Sequence, residues 1–99
     1  MSTPGQAAYR LIMEREGLVA RLATAVRHRD HWRLDGQAAV YERPGAVSVV
    51  RVVALQPRTG PRRNDMYQCT ILKGGVARFA RVAGTPSEAI TWAEQVPLD

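Results

Sequence analysis

The chain has 99 residues, 45% of them hydrophobic, a formal net charge of +5 and one cysteine. That length allows one domain, the apolar content excludes wholesale disorder, and a lone cysteine excludes an internal disulfide or a cysteine-based metal cage. A pI near 10.3 favours anionic partners, meaning nucleic acid, an anionic membrane surface or an acidic protein.

Lys73 is the only lysine among the 14 basic residues. Arginine presents a planar fork of donors that matches phosphate or carboxylate bidentately. A compositional bias toward arginine gives the same count without any binding role, so the positions of the arginines matter more than their number.

At the N-terminus, Thr3-Pro4-Gly5-Gln6 reads as a helix start, with Thr3 as cap, Pro4 at the first helical position and Gln6 reaching back. From Pro4 to about Asp30 the apolar residues Ala8, Leu11, Ile12, Leu18, Val19, Leu22, Ala25 and Val26 fall on one helical stripe. Arg15 lands in the middle of that stripe, where it is costly unless paired or reaching water. Gly17 follows it. An unbroken helix here would be about 40 Å long, against roughly 26 Å for an eight-residue strand. The expectation is therefore a long N-terminal helix that breaks near Gly17, or whose first sixteen residues project as a helical arm. Leu11, Arg15 and Leu18, together with Phe79 on a later strand, are the candidate partner interface, and the chain is expected to self-associate.

His28 and His31 would share one side of this helix. No other histidine exists, and a zinc site wants three or four ligands. No metal is expected.

The middle of the chain reads as four strands, Ala38–Arg43, Ala46–Gln56, Met66–Lys73 and Val76–Ala83. Arg43-Pro44-Gly45-Ala46 suits a type II turn, and Lys73-Gly74-Gly75-Val76 a two-residue hairpin. Counting back from that hairpin sets Ile71 opposite Arg78, Cys69 opposite Ala80 and Tyr67 opposite Val82, with these six toward the core. Gln68, Thr70, Phe79 and Arg81 then take the other face, where Phe79 is out of place. Ala46–Gln56 is apolar on both faces in its middle and suits a central strand.

Between the second and third of these strands lies Gln56–Asp65, a ten-residue connection holding Arg58, Arg62 and Arg63. A second capping signature, Thr85-Pro86-Ser87-Glu88, opens a short helix that runs to about Gln95 and is stopped by Pro97. The fold class is thus α+β in the order α-β-β-β-β-α, one domain over residues 1–99, with an antiparallel four-stranded sheet and both helices on one face.

The residues that carry chemistry elsewhere are poorly placed for it here. Cys69 sits mid-strand in an alternation that points it to the core, the usual place of a small buried cysteine. Ser48 has no histidine near it in the pattern. Glu14 and Glu16 stand among arginines at 10, 15 and 21 as an ion-paired helix surface. Gly74-Gly75 turns a hairpin instead of cradling a phosphate at a helix start. The expectation is a non-enzymatic protein with no cofactor. No signal peptide is visible in the first residues, and the longest apolar run, Val47–Leu55, is far short of the roughly 20 residues that span a bilayer. A cytoplasmic location without membrane contact follows as the expectation.

The basic positions support a binding role. Arg58, Arg62 and Arg63 in the connection, Arg27 and Arg29 at the end of the first helix, and Arg81 on the last strand are the candidate nucleic-acid contacts. They would hold phosphates, which position a protein without specifying sequence. The alternative is a protein–protein interaction subunit: an adaptor, an assembly component or an antitoxin-like partner. No known module's motif covers enough of the chain to assign a family.

Overall fold

A computed structural model describes residues 4–55 and 66–99, and the side chains of residues 13 and 15 onward within them. Thr3, the side chain of Leu11 and the three arginines at 58, 62 and 63 lie outside the described residues. The elements are α1 (Pro4–Val26), β1 (Trp32–Asp35), β2 (Ala38–Tyr41), β3 (Val49–Ala54), β4 (Tyr67–Lys73), β5 (Val76–Ala83) and α2 (Pro86–Gln95). The five strands form one antiparallel sheet in the order β1-β2-β3-β4-β5. The α+β class and the antiparallel sheet stand, but the described residues hold five strands, not four.

The extra strand is β1, and its presence follows from where α1 stops. The buried stripe of α1 runs Leu18, Leu22, Val26, each four residues after the last. The next position on it is Asp30, which is exposed and has nothing to bury. The helix ends at Val26 instead of reaching Asp30. His31 then takes a left-handed conformation, φ 68°, one of the few non-glycine types that tolerates it. The chain turns there into Trp32. Asp35 pairs with Ala38 across a two-residue loop in which Gly36 carries φ 61°, the positive φ that a II′ hairpin needs at its first central position.

Helix α1 continues through Gly17 without a break. One glycine costs about 1 kcal/mol relative to alanine in a helix interior, too little to end a helix whose next two turns are buried. Among the described side chains of α1, Met13, Arg15 and Glu16 are exposed and burial begins at Leu18. Arg15 is tolerated on the apolar stripe because no described element covers that stretch, so its guanidinium stays in water.

Leu22 and Val26 of α1 and Ala89, Ile90 and Ala93 of α2 meet one face of the sheet, through Tyr41, Val50, Val52, Tyr67 and Cys69. Helix α1 lies over β1–β3, and α2 over β4 and β5. Thr85 caps α2 by accepting from the Glu88 N–H at 3.1 Å, with Pro86 at the first helical position. Glu88 Oε2 reaches back to the Gly84 N–H at 2.9 Å, one residue further than the usual capping box. Helix α2 ends at Gln95, as its sequence implies. The other sheet face carries Val40, Arg51, Thr70 and Ala80 in one cross-strand row, and no described helix lies on it.

Candidate nucleic-acid interface

The geometry of the last hairpin decides which arginines share a surface. Gly74 and Gly75 carry φ of 59° and 79°, the two positive values of a type I′ turn. Lys73 pairs with Val76 and Leu72 with Ala77, as counting from the turn implies. The register then shifts between Ile71 and Leu72. Arg78 is the extra residue, so Ile71 stands opposite Phe79, Cys69 opposite Arg81 and Tyr67 opposite Ala83. The expected partners Arg78, Ala80 and Val82 are each displaced by one. A bulge inserts one unpaired residue and inverts the faces of everything beyond it. Tyr67, Cys69 and Ile71 do face the core side, but their partners on β5 are Phe79, Arg81 and Ala83 and not the alternate set.

This inversion puts Phe79 and Arg81 on the helix-bearing side. The Phe79 ring stacks on Trp92 of α2 with centroids 6.0 Å apart and planes inclined by 26°, yet Phe79 remains 55% exposed. Arg81 lines an open cleft of about 520 Å³ with Ser87, Glu88, Thr91, Trp92 and Gln95. Glu88 is already engaged by the Gly84 N–H. Strand β5 is the sheet edge, and seven of its eight residues are exposed.

The other candidate arginines are elsewhere. Arg27 is exposed and Arg29 forms an ion pair with Glu94 at 2.6 Å, both in the turn that leads from α1 to β1. Arg33 on β1 pairs with Glu42 at 3.3 Å. Strands β1 and β5 are opposite edges, four strand spacings or roughly 19 Å apart. That spacing separates Arg33 from Arg81, whereas Arg29 is paired with Glu94 of α2, the neighbour of Gln95 in the Arg81 cleft. Among the described residues no carboxylate lies within 4.0 Å of the guanidinium nitrogens of Arg51, Arg78 or Arg81. Of the candidate interface residues, Arg15 and Phe79 are exposed, whereas Leu18 is 8% exposed and packed in the chain's own core.

Arg78 belongs with Arg81 on β5, a grouping with Phe79 that the residue pattern of this strand already suggests. From Ala46 to Ser87 there are seven basic residues and one acidic residue, Asp65. Met66 to Ser87 contains no acid at all. The net positive charge is thus concentrated in the β3–β5 half, while Glu88, Glu94 and Asp99 make the last segment acidic.

His28 and His31 follow the end of α1 and are exposed in the turn, so they do not share a helix face. Among the described residues no three His, Cys, Asp or Glu side chains gather as a metal site would require. None of the described helices is long and apolar enough to cross a membrane.

Cys69 has no exposed surface. Burial pushes its thiol up from 9.0 to about 11, against a smaller opposing effect of the Arg81 charge. A thiol held neutral at physiological pH is a poor nucleophile. Alkylation by iodoacetamide at pH 8 is expected to be negligible in the folded protein and rapid in denaturant; fast labelling of the native thiol would contradict its burial. The unfolded thiol ionises near 9 and the folded one near 11. Its contribution to stability is therefore complete below pH 9 and lost as pH rises from 9 to 11. Burial also raises Tyr67, with Arg21 opposing, and the Tyr67 hydroxyl donates to the Leu18 carbonyl at 2.9 Å.

No family model matches the chain, and no curated protein or solved structure matches it.

Proposed function

We propose that this is a non-enzymatic binding protein that contacts nucleic-acid phosphates through the arginines of its β3–β5 half. The observation that carries the reading is the charge distribution: seven bases against one acid over Ala46–Ser87. Arg78 and Arg81 are exposed on the edge strand and no described carboxylate pairs with them. Arg58, Arg62 and Arg63 join this set by their place in the chain, on the connection between β3 and β4. Arg29 leaves the proposed site because it is paired with Glu94, and Arg27 stands outside this half of the chain, just after α1.

Phosphate contacts of this kind release counterions, so affinity falls steeply with salt. Replacing Arg58, Arg62 and Arg63 together by Ala is expected to weaken binding to any nucleic acid regardless of sequence. The slope of log affinity against log salt should become shallower by about 0.9 for each duplex phosphate that is no longer neutralised. Fluorescence anisotropy across a salt series measures both effects. Unchanged affinity and slope in the triple variant would remove these arginines from the site.

A second reading, a protein–protein interaction subunit that self-associates, is favoured by the sheet face that no described helix covers. Half-exposed Val82 and Met13 and exposed Arg15 on α1 are the surfaces it would use. Sedimentation of the purified protein and of Arg15→Glu tests this: a monomer in both removes the reading.

A further inference from the structure

The β5 edge carries a feature that pure phosphate binding does not call for, namely an aromatic ring set between two cations. Phe79 follows Arg78 directly and precedes Arg81 by two residues. The ring is supported by Trp92 at 6.0 Å and still 55% exposed, so a planar group can extend the stack on its open side. A base inside a duplex already has neighbours on both faces and cannot do so without leaving the helix. A base in a single strand can, and such stacking is indifferent to base identity because every base has a π-face.

The surroundings suit the same ligand. Arg78 and Arg81 are three residues apart, about 10 Å along an extended strand, on either side of the ring. In the adjoining cleft Ser87, Thr91 and Gln95 are neutral groups that both donate and accept, and the one carboxylate there, Glu88, is engaged by the Gly84 N–H. The outer edge of β5 has no described partner strand, which leaves backbone N–H and C=O groups free for base edges. The bulge at Arg78 is what creates the constellation. In a regular ladder Phe79 would lie on the opposite sheet face, away from Trp92 and the cleft. The absence of any acid from Met66 to Ser87 makes a polyanion the complementary occupant and opposes pairing of this edge with a second copy of the same basic strand.

We propose that β5 and the neighbouring face of α2 form a single-stranded nucleic-acid site, with a base stacked on Phe79 and the flanking phosphates held by Arg78 and Arg81. This rests on the nucleic-acid reading and narrows it to unpaired strands.

The test compares an unstructured thymidine oligomer of about 10 nucleotides with a duplex of equal length, by anisotropy and by quenching of tryptophan fluorescence. The wild-type protein is expected to prefer the single strand. Phe79→Ala is expected to lower single-strand affinity by roughly 5- to 150-fold, the equivalent of losing one stacked base, and to leave duplex affinity unchanged. Phe79→Trp is expected to restore it, which separates stacking from any effect on folding. Arg78→Ala and Arg81→Ala are each expected to weaken both ligands and to reduce the single-strand salt slope by about 0.7. If Phe79→Ala binds the single strand like wild type while the arginine variants weaken both ligands, stacking is refuted and the electrostatic reading survives. If neither ligand binds at low salt, both fall.

Discussion

Leu22→Ala is expected to remove about 2–5 kcal/mol of folding stability, the range for truncating a buried leucine. Leu22 has no exposed surface and sits between Leu18 and Val26, four residues from each, on the face of α1 that meets the sheet. A cavity at that position opens both the helix–sheet junction and the packing beneath it, and the close-packed surroundings relax only in part. For a domain of this size each kcal/mol lowers the melting temperature by about 4–8 °C, so a drop of about 10 °C or more is expected. Met13→Ala, at a position 50% exposed on the same helix, should change stability by no more than about 0.5 kcal/mol. Urea melts of the two variants check the contrast. Equal losses would mean that the buried part of α1 does not begin at Leu18.

Arg43→Ala carries the second large effect, expected at about 2 kcal/mol. Arg43 Nη2 donates to the Ala93 and Glu94 carbonyls at 3.0 and 3.1 Å, which belong to the last turn of α2. Those carbonyls have no partner within the helix and form the negative end of its dipole. The guanidinium also lies 5.6 Å from the centre of the Tyr41 ring, and Tyr41 packs on Trp32 at 5.1 Å. One side chain therefore ties the end of α2 to β2, and Arg29 adds a salt bridge to Glu94 from the α1–β1 turn. Hydrogen bonds involving a charged group contribute about 1.5–3 kcal/mol. Arg43→Lys should recover less than half of the loss, because an ammonium cannot span two carbonyls with a planar fork while covering a ring. Thermal melts of both variants measure this, and a lysine variant as stable as wild type would show that charge alone suffices.

Arg43, which holds the end of α2, is thus an arginine to which the residue pattern gives no binding role, and Arg29, which that pattern offers to nucleic acid, is paired with Glu94. Nothing local distinguishes them. Arg43 is next to a Pro-Gly turn and its partners are 50 and 51 residues away, while Arg29 meets Glu94 across 65 positions. An ion pair between residues so far apart becomes visible only once the two helix ends are brought together.

Other parts are legible because a few neighbouring residues are enough to specify them. Thr85-Pro86-Ser87-Glu88 contains its own hydrogen-bond donors and acceptors, and it opens α2 as expected. Gly45, with φ 83°, and the Ala46 N–H donating to the Arg43 carbonyl at 3.0 Å complete the turn that Pro44-Gly45 announces. Strands β3 to β5 can be placed to within a few residues by their β-branched and aromatic residues and the turns that bound them. Strand β1 escapes such a reading although Asp35-Gly36 is a strong turn signal, because only Trp32 of its four residues is buried and so short a stretch shows no period.

From its residues alone the protein was determined to be α+β, with antiparallel strands, two helices, a capped α2 and a charge surplus over Ala46–Ser87. These depend on backbone preferences and periodicities that act over a handful of positions. The tertiary structure alone decided that Phe79 faces Trp92, that Leu18 belongs to the core and that Arg29 is paired with Glu94 while no described carboxylate pairs with Arg81. Each of those depends on which distant segment arrives opposite a given side chain, and for β5 a single unpaired residue, Arg78, turns every later side chain to the other face.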